Sequence, residues 1–351
     1  MEKKQLKAVF IGEESLVIQC AKIWQERNHE ILAVVSDTPQ IVSWARQEAI
    51  PVIPLRNALA ESLADIEPDH IFSIGNLAIL PDQLVAKARR SAINFHDGPL
   101  PEYAGMYSPV WALLNGEREY GVSFHEIAGG INEGDVLVER RFEIRDDETS
   151  ITLNAKNFEA AIDAFGELVE QLESDEPNRL PQDLSARKYF GRYHRPPDLC
   201  AVDLDAPAEQ AARLVRALDF GPYANPFGAA KLIHQGRAIV LGAAEILTTE
   251  ASSPPGTLLG LEGDALSFQA SDGVIAFRGL RTLGGTELSA AEAIGHLGLR
   301  VGDLCIGPPP HSERGGASSV NQPLAPKSAG WKRSPPSTES SFRSGLSTRK
   351  T

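Results

Sequence analysis

Between Ile93 and Gly105 the chain reads INFHDGPLPEYAG, which sets an asparagine, a histidine and an aspartate within four positions at the end of an apolar run. Side chains repeat every second residue on a strand, so Asn94 and His96 share a face and aim an amide and an imidazole at one point. Asp97 opens the turn that follows, and the run from Gly98 to Pro101 stiffens the exit. A second acid, Asp135, arrives from the glycine-rich loop AGGINEGDVL. An amide NH₂ and an imidazole N–H are hydrogen-bond donors suited to an oxygen that gains charge. A nearby carboxylate decides whether the imidazole is a cation or a proton acceptor. Alone, each of these residues is more often structural than functional; together they point to a site.

The elements that position them alternate. LKAVFIG, the amphipathic SLVIQCAKIWQERNH and EILAVVSD form a β-α-β unit. The pattern continues through helices near Pro39 to Glu48, Asn57 to Ile66 and Pro81 to Arg90, and through the apolar runs IPVIPL, DHIFSIGN and SAINFHD. YGVSFHEI and GDVLVERRFEI add two strands, and a long helix from about Ser150 to Leu172 closes the domain. The expected fold class is α/β, a Rossmann-like and mostly parallel sheet with helices on both faces, whose ligands bind at the carboxyl ends of the strands. After a polar, proline-marked stretch, a helix over DAPAEQAARLVRALDF with Asp205 as its cap leads into short strands separated by Gly and Pro, which predict a small OB-like β-barrel. The expected division is a catalytic domain over 1–180, an ordered linker crossing the surface over 181–204, a barrel-like domain over 205–307 and a disordered Pro/Ser-rich tail over 308–351.

The bulk properties narrow the partners. A chain of 351 residues with 42% hydrophobic residues and a formal charge of −13 fits a globular protein of two domains, and the charge disfavours general nucleic-acid binding. No apolar run approaches the roughly 20 residues that span a bilayer, and the N-terminus lacks the form of a signal peptide, so no membrane association and a cytoplasmic location are expected. Cys20, Cys200 and Cys305 lie too far apart to suggest a disulfide framework or a zinc site. The first turn, GEESLV, offers only Gly12 where a dinucleotide fingerprint needs three glycines.

NFHDGPLPEYAG, GVSFHEIAGGINEGDVL and IGNLAILP together resemble the formyltransferases that use 10-formyltetrahydrofolate, over most of residues 6 to 305. The resemblance implies an enzyme that moves a formyl group from this co-substrate to an amine with no metal, and it places the family's catalytic residues at Asn94, His96 and Asp135. Asn94 and His96 would donate to the tetrahedral oxyanion, while Asp135 would orient His96 and relay the amine's proton, through water. It also implies a folate pocket lined by Ile74, Gly75, Asn76, Leu77, Ile79, Leu80 and Pro81 and by the loop Gly129, Gly130, Ile131, Asn132 and Glu133. Leu77, Ile79 and Leu80 would sandwich the pterin ring. The chain departs from many members in having Asp97-Gly98-Pro99-Leu100-Pro101 where they have Ser-Leu-Leu-Pro. His125 reads as a packed or supporting histidine, and Tyr103 and Tyr107 as pocket wall or ordinary packing.

The acceptor is less constrained. From Ala206 to Gly307 seven Lys or Arg face ten Asp or Glu, a poor surface for tRNA. Arg187, Lys188, Arg192 and Arg195 read as an exposed charged linker, with a sugar-nucleotide contact as the other possibility. VRALDFGPYANPFGAAKL resembles formylation domains that open nonribosomal peptide and polyketide assembly lines, which implies an aminoacyl group on a peptidyl carrier protein as acceptor. Amino-sugar or methionyl-tRNA formylation, hydrolysis of the folate, and a folate-binding module without turnover are the alternatives.

Overall fold

The computed structural model describes residues 5–55, 59–174, 177–250 and 252–307; the expected tail over 308–351 lies outside the described residues. Apolar runs become β1 (Lys7–Ile11), β2 (Glu30–Val35), β3 (Val52–Ile53), β4 (His70–Ser73) and β5 (Ser91–His96), all mutually parallel where they pair. Between them lie α1 (Leu16–Glu26), α2 (Pro39–Gln47), α3 (Leu59–Ser62) and α4 (Asp82–Val85). The short β6 (Ala104–Gly105) and α5 (Ser108–Asn115) follow, then β7 (Glu119–Glu126) and β8 (Val136–Glu143), which join the sheet antiparallel. The seven strands run in the order β3-β2-β1-β4-β5-β7-β8. Strand order therefore reverses between β1 and β4, the crevice at which open α/β sheets bind ligands.

Two apolar layers cover the sheet. Leu16, Val17, Trp24, Ile41 and Trp44 from α1 and α2 pack on one face with Phe165, Leu168 and Leu172 of α6 (Ser150–Glu173). Leu59 of α3 and Leu84 of α4 cover the other with Val9, Ile11 and Ile71. In α6 the buried residues recur at helical spacing, with Ala160, Ala161, Ala164, Phe165 and Leu168 on one stripe, and a Thr149–Thr152 capping box fixes the helix start.

The linker is ordered against the first domain. Leu180 bridges Val136, and β9 (Tyr189–Phe190) pairs in parallel with β6. Beyond it, α7 (Ala208–Ala217) precedes a hairpin of β10 (Lys231–His234) and β11 (Arg237–Val240). A four-stranded antiparallel sheet follows, in the order β12 (Ala243–Thr248), β15 (Val274–Arg278), β14 (Ala265–Gln269), β13 (Leu258–Glu262). A bridge from Val240 to Arg281 joins hairpin to sheet, and α8 (Ala290–Leu297) packs alongside. The second region is thus a small antiparallel β domain, and one apolar cluster runs from Tyr103, Val110 and Leu113 into Val215, Leu266 and Phe277. No helix among the described residues is long and apolar enough to cross a membrane.

Asp205 does not cap α7. Pro207 holds the N-cap position without a side-chain acceptor, and Asp272 Oδ1, from the β14–β15 turn, accepts the Ala208 N–H at 2.8 Å. A cap supplied from elsewhere in the chain leaves no local pattern in the sequence. Asp272→Ala should therefore cost about 1 kcal/mol of stability, and Asp205→Ala close to none, in urea unfolding.

Candidate active site

The site lies at the carboxyl edge of the parallel strands. Gly12 follows β1 where a Cβ would overlap the carbonyl oxygen of Ile74, and Glu13 N–H donates to Gly75 O at 3.2 Å. The single glycine of the first turn thus serves close packing against the loop after β4. In that loop Ile74 and Leu80 are buried in the core, while Leu77 and Ile79 stand 67% and 78% exposed. Asn76 spends its amide on the loop itself, donating to Ser73 Oγ and Ala78 O and accepting from Ala78 N–H. Pro81 takes the N-cap position of α4.

On β5 the alternation holds. Ile93 and Phe95 join the core on one face, and Asn94 and His96 turn to the other. His96 is buried, with Nε2 at 2.6 Å from Tyr103 O, an acceptor only, so the proton sits on Nε2. Burial first, opposed by that hydrogen bond, lowers its pKa to about 4. His96 is neutral near pH 7, and its Nδ1 lone pair is an acceptor, 3.7 Å from Asp97 Oδ1. The carboxylate that meets the ring is Asp97; among the described residues no side-chain hydrogen bond joins Asp135 to His96, where the family resemblance has Asp135 orienting it. Asp97, 36% exposed, is pushed up to about 6 by burial. Glu14 of the first turn is raised as well, by partial burial and then by repulsion from Asp97 and Glu13, although its side chain still reaches solvent.

Opposite Asn94 in the β5–β7 register stands His125. Asn94 Nδ2 donates to Phe95 O at 2.8 Å, and Asn132 Oδ1 accepts from Gly105 N–H at 3.0 Å, which fixes how both amides are turned. Each then presents its NH₂ to His125 Nε2 at 3.2 Å. That nitrogen must be unprotonated, and Nδ1–H donates to Glu126 O at 2.8 Å. His125 is a buried, neutral hub, its pKa lowered to about 4 by burial and by His96. Both Asn94 hydrogens are engaged, so donation to a substrate oxygen requires Asn94 to exchange one of these partners. The 129–135 loop leaves the far end of β7 and folds back over this face, burying Asn132 while Gly129, Gly130 and Ile131 remain exposed. Glu133 accepts from Gly130 N–H at 3.0 Å. The register that sets His125 beside Asn94 requires knowing the pairing of β5 with β7, which the sequence pattern did not supply.

The buried histidines make stability depend on pH. His70, His96 and His125 are each held near 4, burial being the first cause, against about 6.5 in an unfolded chain. Between these values the unfolded state binds more protons, so stability is lost as pH falls from 6.5 towards 4, by roughly 2 kcal/mol per histidine at pH 5. Asp97 opposes this, because its raised pKa lets the folded state hold the extra proton, but solvent screens it. The melting temperature should be lower at pH 5 than at pH 7; equal values would contradict these assignments.

The chain matches the family model of formyl transferase over residues 7–169 and that of the formyl transferase C-terminal domain over residues 196–297. It therefore belongs to the formyltransferase family. Among solved structures it is similar to HypX from Aquifex aeolicus in complex with tetrahydrofolic acid, at 21% identity and a TM-score of 0.58, over 85% of this chain and 48% of that one. The chain thus spans about half the length of HypX. It is also similar to the N-formyltransferase from Helicobacter canadensis in complex with folinic acid and dTDP-3-aminofucose, at 17% identity and a TM-score of 0.61, over 81% of this chain and 100% of that one. WlaRD, a sugar 3N-formyl transferase, gives 17% identity and a TM-score of 0.61 over 78% of this chain and 98% of its own. At these identities the likeness is one of fold.

Proposed function

We propose that the chain transfers a formyl group from 10-formyltetrahydrofolate to a primary amine, and that this amine belongs to an aminoacyl group on a peptidyl carrier protein. The observation that carries formyl transfer is the pair on β5: a donor amide at Asn94 and, two residues on, a neutral His96 whose free Nδ1 can take a proton. The amine attacks the formyl carbon, and charge builds on the formyl oxygen, where Asn94 donates after releasing a present partner. His96 Nδ1 accepts the proton lost by the amine, and Asp135 relays it through water to the folate nitrogen as the carbon–nitrogen bond to the folate breaks. Formylated amine and tetrahydrofolate leave. In this account His96 accepts rather than donates, because its N–H is already committed to Tyr103 O.

The folate's ring would lie against Leu77 and Ile79, two large and exposed apolar side chains, with the Gly129–Glu133 loop meeting its polar edge. Residues 1–180 would form the catalytic domain and 205–307 the accessory β domain. For the acceptor, the supporting feature is a run of cations on the linker beside β6: Lys188, Arg192 and Arg195 have no carboxylate partner among the described residues, which suits a phosphate-bearing tether. The same strip would suit the diphosphate of an amino-sugar nucleotide, the second reading, which the dTDP-sugar complex of the Helicobacter canadensis enzyme favours.

The test offers the purified chain 10-formyltetrahydrofolate with an aminoacyl-loaded carrier protein, an amino-sugar nucleotide or aminoacyl-tRNA, and measures formylated product by mass. Product from the carrier protein alone supports the proposed acceptor, product from the sugar nucleotide alone replaces it, and folate consumed without any formylated amine makes the chain a hydrolase.

A further inference from the structure

We infer that Gln182 and Arg187, in the linker between the two domains, are positioning residues that hold the Asp135 loop over the site. The inference rests on the proposed formyl transfer only for its kinetic consequences. Gln182 Nε2 donates to Asn132 O at 3.0 Å and to Gly134 O at 2.6 Å, straddling Glu133 and ending one residue short of Asp135. Arg187 Nη2 donates to Ile131 O at 2.9 Å, and its guanidinium lies 3.6 Å from Glu133 Oε1. Leu180 and Val136 exchange both backbone hydrogen bonds at 2.9 Å just beyond. Three carbonyls of the four residues before Asp135 are thus held by linker side chains.

The same segment then grips the other half of the site. Ala104 N–H donates to Lys188 O at 3.0 Å and Met106 N–H to Phe190 O at 2.8 Å, immediately after Tyr103, whose carbonyl holds His96. Gly105 has no room for a Cβ against Phe190 O, and its N–H donates to Asn132 of the loop. The linker therefore sets the Asp135 loop and the His96 turn relative to each other.

A filler would not need these groups. Gln182 Oε1 is buried without a hydrogen-bond partner, a cost that a leucine of similar volume would avoid. What the glutamine adds is its two donors to the loop backbone.

The test uses the full chain carrying Gln182→Leu, with Arg187→Met as a second variant should the first fail to fold. Amide hydrogen exchange is followed over residues 129–135, and transfer kinetics are measured alone and combined with Asp135→Asn. Loop exchange should accelerate at least about tenfold with the β1–β5 core unchanged. The kcat should fall about 10- to 100-fold, and the folate KM should rise with it, because residues 129–133 of the same loop would meet the folate. Asp135→Asn should cost far less in the Gln182→Leu background than in the wild type, since a misplaced carboxylate has less to lose. Unchanged loop exchange, or full additivity of the two substitutions, would overturn the inference. A wild type that formylates no amine would count against the proposed function, and the exchange measurement would still decide whether the linker holds the loop.

Discussion

His96→Ala should lower the turnover of formyl transfer by about 10²- to 10⁴-fold, the range over which a positioned proton acceptor contributes. The fold should survive the change, because Ser108 Oγ continues to donate to Tyr103 O at 2.9 Å and that buried carbonyl is not left bare. Folate affinity should change little, since the imidazole faces the reacting atoms in the proposed geometry and the ring contacts lie on the β4 loop. Single-turnover formylation alongside folate titration separates the two effects. A loss below about tenfold would mean that His96 is structural and that the amine loses its proton elsewhere. Asn94→Ala should cost about 10²- to 10³-fold as a lost oxyanion donor.

Gly134→Ala should damage stability and turnover together. A Cβ there would fall on Glu126 O, a backbone atom that cannot move without opening the connection between β7 and β8. The contacts on either side, Glu126 N–H to Asp135 O at 2.9 Å and Gln182 to Gly134 O, would be disturbed with it. A stability loss of about 1–3 kcal/mol is expected from such overpacking, with turnover down about 100-fold as Asp135 shifts. Gly260→Ala is the control, because it stands on β13, outside the site, with nothing within 4 Å of an added Cβ. Chemical unfolding and kinetics of the two variants check this; equal behaviour would show that the Gly134 backbone does not position Asp135.

The parallel half of the sheet was readable from the alternation of apolar runs and amphipathic stretches, since strands buried on both faces leave continuous apolar segments such as KAVFI and EILAVV. Asn94 and His96 were readable for the same reason, because a period of two fixes their common face. His125 was visible only as a lone histidine on a strand: its place beside Asn94 depends on the β5–β7 register, a non-local fact. The protonation of His96 at Nε2 depends on the turn bringing Tyr103 O back to the ring. Asp205 looked like a cap because it stands just before a helix, yet the acceptor came from Asp272, more than sixty residues along the chain. The polar, proline-marked composition of the linker points to an ordered crossing of the surface with exposed cations, and its contacts with the carbonyls of Ile131, Asn132 and Gly134 involve backbone atoms that no residue pattern marks.

The central claim is tested most directly by single-turnover transfer from 10-formyltetrahydrofolate to an aminoacyl-loaded carrier protein, comparing the wild-type chain with Asn94→Ala and His96→Ala. The account predicts tetrahydrofolate and formylated aminoacyl thioester appearing together with the wild type, and both falling at least about 100-fold with either variant. Formylation that persists in both variants would contradict it, because the transfer would then not depend on the pair that β5 presents.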